Sequence, residues 1–159
     1  MFLRGLVVTT FTIFTAESLF ATCRIVTDPI FETVSGRGHF RSVLRDGLFG
    51  LVETERAAFI VDHGDGSFES VAWPASQATH AETFHGQIPA GTKAIIHTHP
   101  ARWPRPSPQD RMEAVRLGIP IYVLTPRAIY RTERSDVAAV VLDQNWFANA
   151  FDSGPARCQ

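Results

Sequence analysis

Two imidazoles and a carboxylate stand close together in this chain. His97-Thr98-His99-Pro100 is followed by six residues, then by Ser107 and, three positions on, by Asp110. A catalytic zinc takes three nitrogen, oxygen or sulfur ligands in a tetrahedral arrangement and keeps its fourth position open. His, His and Asp are a ligand set of that kind, and the chemistry it points to is metal-assisted hydrolysis. Spacing matters as much as residue type. On a strand, residues i and i+2 share a face, so His97 and His99 converge on one point while Thr98 turns away.

The elements around the motif suit that task. Lys93-Ala94-Ile95-Ile96 is apolar and β-branched, which predicts a buried strand running into His97. Ser107 is a good helix N-cap, Pro108 suits the first helical position, and Asp110 falls at the third. Gln109 to Leu117 reads as helix, stopped by Gly118 and Pro120. Taken alone, S-x-x-D is also a capping box with no chemistry attached, and two histidines in a loop are commonly surface residues. The whole pattern, not any part of it, points to a metal.

These residues resemble the JAMM (MPN+) metalloprotease motif, E…H-[ST]-H-P-x6-S-x-x-D, with His97, Thr98, His99, Pro100, Ser107 and Asp110 matching position for position. The resemblance covers Glu55 to about Tyr130. It implies a mixed α/β sheet sandwiched by helices, the MPN/JAB (cytidine-deaminase-like) fold. It also implies that His97, His99 and Asp110 hold one Zn2+ per chain, that Ser107 hydrogen-bonds the oxyanion or the metal-bound water, and that an upstream Glu is the general base. In the family that Glu opens a strand and is followed by small residues. Glu55-Arg56-Ala57-Ala58-Phe59 fits best, with Glu53 the runner-up and Glu32 and Glu69 also open. The activity implied is zinc-dependent hydrolysis of peptide or isopeptide bonds. The alternative is a non-catalytic metal-binding or scaffold module on the same fold, and a third is a metal-dependent toxin. The loop Ala101 to Pro106 departs from the family, carrying Trp103, Pro104 and Pro106 where small residues are usual.

Length and composition narrow the rest. The 159 residues suit one domain, and with 45% hydrophobic residues a substantial core can form. A net charge of −1 provides no basic field for nucleic acid. Met1 to Ala21 carries Arg4, an apolar run from Leu6 to Phe14, and Ala21 at a cleavage point. That is the pattern of a secretory signal peptide, leaving residues 22–159 as a single domain with no membrane span. The expected location is therefore periplasmic or extracellular, and the expected substrate a peptide or isopeptide-linked molecule such as a cell-wall peptide. Cys23 and Cys158 are the only cysteines and flank the mature chain, so a disulfide between them is expected in an oxidising compartment.

Elsewhere the pattern predicts a short strand or an extended lead-in over Arg24 to Phe31, a loop at Gly36 to Gly38, and an amphipathic helix over His39 to Phe49. A hairpin follows, with strands at Arg56 to Asp62 and Ser67 to Trp73. Later strands are expected at Ile119 to Thr125, Ala128 to Thr132 and Val137 to Leu142, before a short aromatic tail. His80, Glu82 and His85 lie in an irregular stretch as accessory-ligand candidates. Arg127 to Arg134 reads as a solvated edge-strand face, with binding of an anionic substrate as the alternative. Other metalloenzyme classes fit poorly. An amidohydrolase barrel needs about 250 residues, and the P-C-x-x-C of nucleobase deaminases is absent.

Overall fold

The computed structural model describes residues 26–74, 86–134, 136–142 and 145–148. The signal-peptide segment, Cys23, Cys158, His80, Glu82 and His85 lie outside them. The described chain is mixed α/β, with a six-stranded sheet and a helix on each face. Its helices are α1 (Val34–Asp46) and α2 (Pro108–Leu117). The strands are β1 (Ala57–Asp62), β2 (Phe68–Ala72), β3 (Thr92–Thr98), β4 (Ile121–Thr125), β5 (Ala128–Glu133) and β6 (Asp136–Leu142). Their order in the sheet is β2-β1-β3-β4-β5-β6. Only β3 and β4 run parallel. A parallel pair needs a crossover, and α2 is that crossover.

The central strands are apolar on both sides because both faces are covered. On one face Ala58, Ile60, Ala94, Ile96, Tyr122 and Leu124 pack with Phe40 and Leu44 of α1. On the other, Phe59, Val61, Ile95 and Ile121 form a second apolar cluster, which Ala114 joins from α2 lying over β4 and β5. The two sets alternate along each strand, as period-two geometry requires.

Helix α1 differs from the sequence expectation. It begins at Val34, through the expected loop at Gly36 to Gly38, and ends at Asp46. The Thr33 side chain caps it by accepting from the Gly36 N–H. Gly36 is required there, since a Cβ would sit 2.0 Å from the Ile30 carbonyl oxygen. After Gly47 the chain makes a tight turn over Leu48–Gly50, all three with positive φ. Helix α2 begins at its predicted Ser107 cap and stops where Gly118 enters the left-handed region at φ 64°.

The Arg127 to Arg134 expectation is corrected. β5 is not an edge strand, because β6 pairs along its outer side. Arg131 accordingly reaches inward to Asp28, with Nη1 3.4 Å from Oδ2, and also pairs with Glu133. Asp28 is buried and also accepts from the Tyr122 hydroxyl at 2.6 Å. Burial first, and then Asp28, push the Tyr122 phenol well above its ordinary pKa. Besides these Asp28 contacts, the lead-in is tied to β6 by a hydrogen bond from Val26 N–H to the Ala139 carbonyl. In the tail Trp146 is fully buried, and its indole donates to the Thr125 carbonyl at 2.7 Å. No helix among the described residues is long and apolar enough to cross a membrane.

Candidate metal centre

His97 sits in the last turn of pairing of β3, opposite Ala57 of β1 on one side and Val123 of β4 on the other. His99 follows just past the strand, its N–H donating to the Leu124 carbonyl at 3.1 Å. Between them Thr98 faces α1 and is buried. Its N–H donates to the Arg56 carbonyl at 2.9 Å, and its Oγ1 accepts from the Arg56 N–H at 3.0 Å. The segment is thus held from both neighbouring strands, which leaves the two imidazoles little freedom.

The imidazoles do converge. His97 Nε2 and His99 Nε2 lie 3.0 Å apart, and both rings are buried. His99 Nδ1 donates to the Trp103 carbonyl at 2.9 Å. A carbonyl only accepts, so the neutral ring carries its proton on Nδ1 and turns the Nε2 lone pair toward His97. The Ala101 to Pro106 loop therefore orients a histidine through its backbone.

The carboxylate arrives with the first turn of α2. Asp110 Oδ1 is 3.2 Å from His97 Nε2, and its Oδ2 is 3.6 Å from His99 Nε2. Asp110 and Ser107 also form a full capping box. The Ser107 Oγ accepts from the Asp110 N–H at 3.1 Å, and Asp110 Oδ2 accepts from the Ser107 N–H at 2.6 Å. Capping and site geometry coexist here, because the cap aims Oδ1 at His97 while Oδ2 holds the helix start and faces His99.

Of the Glu candidates, Glu55 reaches the cluster. Continuing the β1–β3 register past Ala57 opposite His97 places Glu55 opposite His99, and its Oε1 is 3.8 Å from His99 Nε2. Glu53 instead pairs with Arg102 at the surface. Glu69 lies on β2 and pairs with His63 at 3.2 Å, and Glu32 is exposed before α1. Ala57, small and opposite His97, keeps the space beside the imidazole clear.

Ligand atoms of Glu55, His97 and His99 all lie within 4.8 Å of one another, a group that could hold a metal ion. Glu55 as a donor alongside the histidines is an arrangement that the sequence left out. Ligand bonds of about 2.0–2.1 Å in a tetrahedron separate donors by about 3.3–3.4 Å. The His97–His99 and His97–Asp110 separations of 3.0 and 3.2 Å match that spacing, and Glu55 at 3.8 Å lies just beyond it.

The electrostatics agree with a cation site. Burial disfavours charge on Asp110, yet the hydrogen bond and charge of His97, with the Ser107 bonds, hold its carboxyl far below the usual range. Burial, and then the neighbouring His97, push His99 below an ordinary histidine. His99 is therefore neutral and ready to donate its lone pair.

The cluster opens into a cleft of about 630 Å3. Its walls come from β1, β3, β4 and α2, and from Trp73 and Ile88 beyond β2 and before β3. None of the described lining residues belongs to the Ala101 to Pro106 loop. Sequence reasoning missed this cleft, as well as the Trp103 carbonyl and the Arg102–Glu53 pair. The cleft and the Arg102–Glu53 pair arise from residues far apart in the chain, and the Trp103 carbonyl from a loop fold four residues beyond His99 that no residue pattern announces.

No family model matches the chain, and neither the curated proteins nor the solved structures provide a match to it.

Proposed function

We propose that this chain is a JAMM-type zinc hydrolase of peptide or isopeptide bonds, built on an MPN/JAB fold and acting outside the cytoplasm. The observation that carries this reading is one convergence. Two histidines from the end of β3, a carboxylate from the first turn of α2 and a second carboxylate from the lead into β1 meet within 4 Å of His99 or His97. His97, His99 and Asp110 would hold the metal, since these are the three closest donors. Bound zinc would supply a Lewis acid that polarises the scissile carbonyl and acidifies a water.

The chain's own residues do the rest. Glu55 Oε1, set back from the three ligands, takes a proton from the attacking water and delivers it to the leaving amine nitrogen. One water is consumed, the C–N bond breaks, and a carboxylate and an amine result. The Ser107 hydroxyl uses its oxygen to accept from the Asp110 N–H, so its own proton is available to the developing oxyanion. The low exposure of His97 and His99 strengthens each of these interactions.

The test is metal content and turnover together. The wild-type protein should carry about one zinc, and His99→Ala and Asp110→Ala should lose it. Glu55→Gln should keep zinc yet lose about 10²–10⁴-fold in rate on amide substrates. Full activity in Glu55→Gln would overturn its role as general base, and a zinc-loaded wild type with no turnover would favour the scaffold alternative. Zinc lost with Glu55→Gln would instead make Glu55 a ligand, an arrangement that the grouping of Glu55 with the two histidines favours.

A further inference from the structure

We propose that the cleft beside the metal centre is an apolar side-chain subsite. The substrate it fits is an uncharged peptide segment with a large aliphatic or aromatic side chain flanking the scissile amide. This rests on the hydrolase reading of the cluster.

The first argument is continuity. Glu55, His97 and Asp110 line one end of the cleft, so anything seated in it reaches the reacting centre. The second is strand geometry. Glu55, Ala57 and Phe59 share one face of β1, and a rise of about 3.3–3.4 Å per residue sets Ala57 about 7 Å and Phe59 about 13 Å from Glu55. On β3 the same step leads from His97 to Ile95. The floor thus becomes apolar one side-chain pair beyond the cluster, and an extended peptide has the same pitch. A side chain next to the scissile bond would arrive over Ala57 and Ile95, where the small Ala57 gives depth. Phe59 stacks on Trp73 with ring centroids 5.3 Å apart and forms the far wall. Helix α2 packs over β4 and β5, so it leaves the β1–β3 part of this face as the cleft floor.

The third argument is charge. Arg116 is the one arginine or lysine among the described lining residues. Its Nε donates to both Glu113 oxygens at 3.0 and 3.2 Å, so it is occupied at the rim by Glu113. The remaining charged lining side chains besides His97 are the carboxylates Glu55 and Asp110. An acidic side chain or a free C-terminal carboxylate finds no partner there, whereas a neutral apolar one buries its surface. A volume of about 630 Å3 is within the range of small-ligand pockets.

The test compares hydroxamates of glycine, leucine, phenylalanine and aspartate on the zinc-loaded protein by calorimetry. The leucine and phenylalanine compounds should bind about 10- to 100-fold more tightly than the glycine compound, and the aspartate compound no more tightly than glycine. Leu117→Lys and Ile88→Lys, both at half-buried positions, should each bring the phenylalanine-to-glycine ratio close to one. Equal affinity for all four compounds in the wild type would overturn the subsite and leave the metal centre standing. If no hydroxamate binds, the metal reading fails, and a metal-independent arm decides the subsite. There N-acetyl-phenylalaninamide should shift the resonances of Phe59 and Leu117 in the metal-free protein, whereas N-acetyl-glycinamide should not. Shifts with neither amide, or equal shifts with both, would overturn it.

Discussion

At His97 two influences oppose each other. Burial works against a charge on the ring, but the hydrogen bond and charge of Asp110, with help from Glu55, outweigh it and raise its pKa above the ordinary value. Without metal, His97 and Asp110 therefore form an ion pair whose contribution depends on pH. The Asp110 carboxyl is lowered by folding, so its contribution is full above about pH 4 and is lost as pH falls. The His97 pKa is raised, so its contribution is full below about pH 6.5 and is lost as pH rises through the folded value. His99, lowered by folding, changes in the opposite sense to His97. In chelator-treated protein, wild type should exceed Asp110→Asn in stability most between about pH 4 and 6.5, and by less above pH 7. Urea denaturation across that range checks this, and a difference independent of pH would mean that the pair is not ionic.

The elements aim these residues through a few close contacts. Gly47 ends α1 against Thr98, the residue between the two histidines. A Cβ at Gly47 would lie 2.6 Å from Thr98 Oγ1 and 2.7 Å from Cγ2. Gly47→Ala should therefore cost about 1–3 kcal/mol and weaken metal binding, because relief of the clash moves β3. Gly50 at φ 67° approaches the His99 carbonyl in the same way, with a Cβ there 2.5 Å from it. Thr98→Val keeps the shape but removes the acceptor for the Arg56 N–H, and should cost about 1–3 kcal/mol in thermal or urea unfolding. Ser107→Ala removes the α2 cap and should cost about 0.5–2 kcal/mol. If Ser107 also serves the oxyanion, its loss of rate will exceed its loss of zinc. A variant that loses both in proportion would reduce Ser107 to a cap.

For the whole molecule, the metal and the core stabilise through separate routes. Zinc at about a hundred times its dissociation constant should add about 2.7 kcal/mol to unfolding, seen as a drop in Tm on chelation. His99→Ala should show no such drop. Trp146 lies in the other layer, packed near Phe31 and Phe40 and bonded to the end of β4. Trp146→Ala should lower stability by about 3–5 kcal/mol while leaving the added stability from zinc intact. A loss of that increment would mean that the tail also positions β4 beside His99.

What the sequence determined by itself is local. A two-residue histidine spacing on an apolar strand aims both rings one way, and a Ser-Pro-Gln-Asp start caps a helix wherever it lies, so β3, α2 and the direction of Thr98 were legible. The hairpin and the later strands were legible too, through turn residues and alternation. The start of α1 was not, because two glycines argue for a loop and only the Ile30 carbonyl explains why Gly36 belongs in a helix. The place of β5 was not, because an arginine-rich strand looks solvated until β6 covers its edge and Asp28 receives Arg131. Among Glu32, Glu53, Glu55 and Glu69 the small residues after Glu55 already favour it, and the β1–β3 register adds that Glu55 lies opposite His99 while Glu53 pairs with Arg102. The cleft belongs to the tertiary structure altogether. It exists because α2 packs chiefly over β4 and β5, and a helix's lateral position on a sheet is decided by packing among residues distant in the chain, which no local pattern encodes.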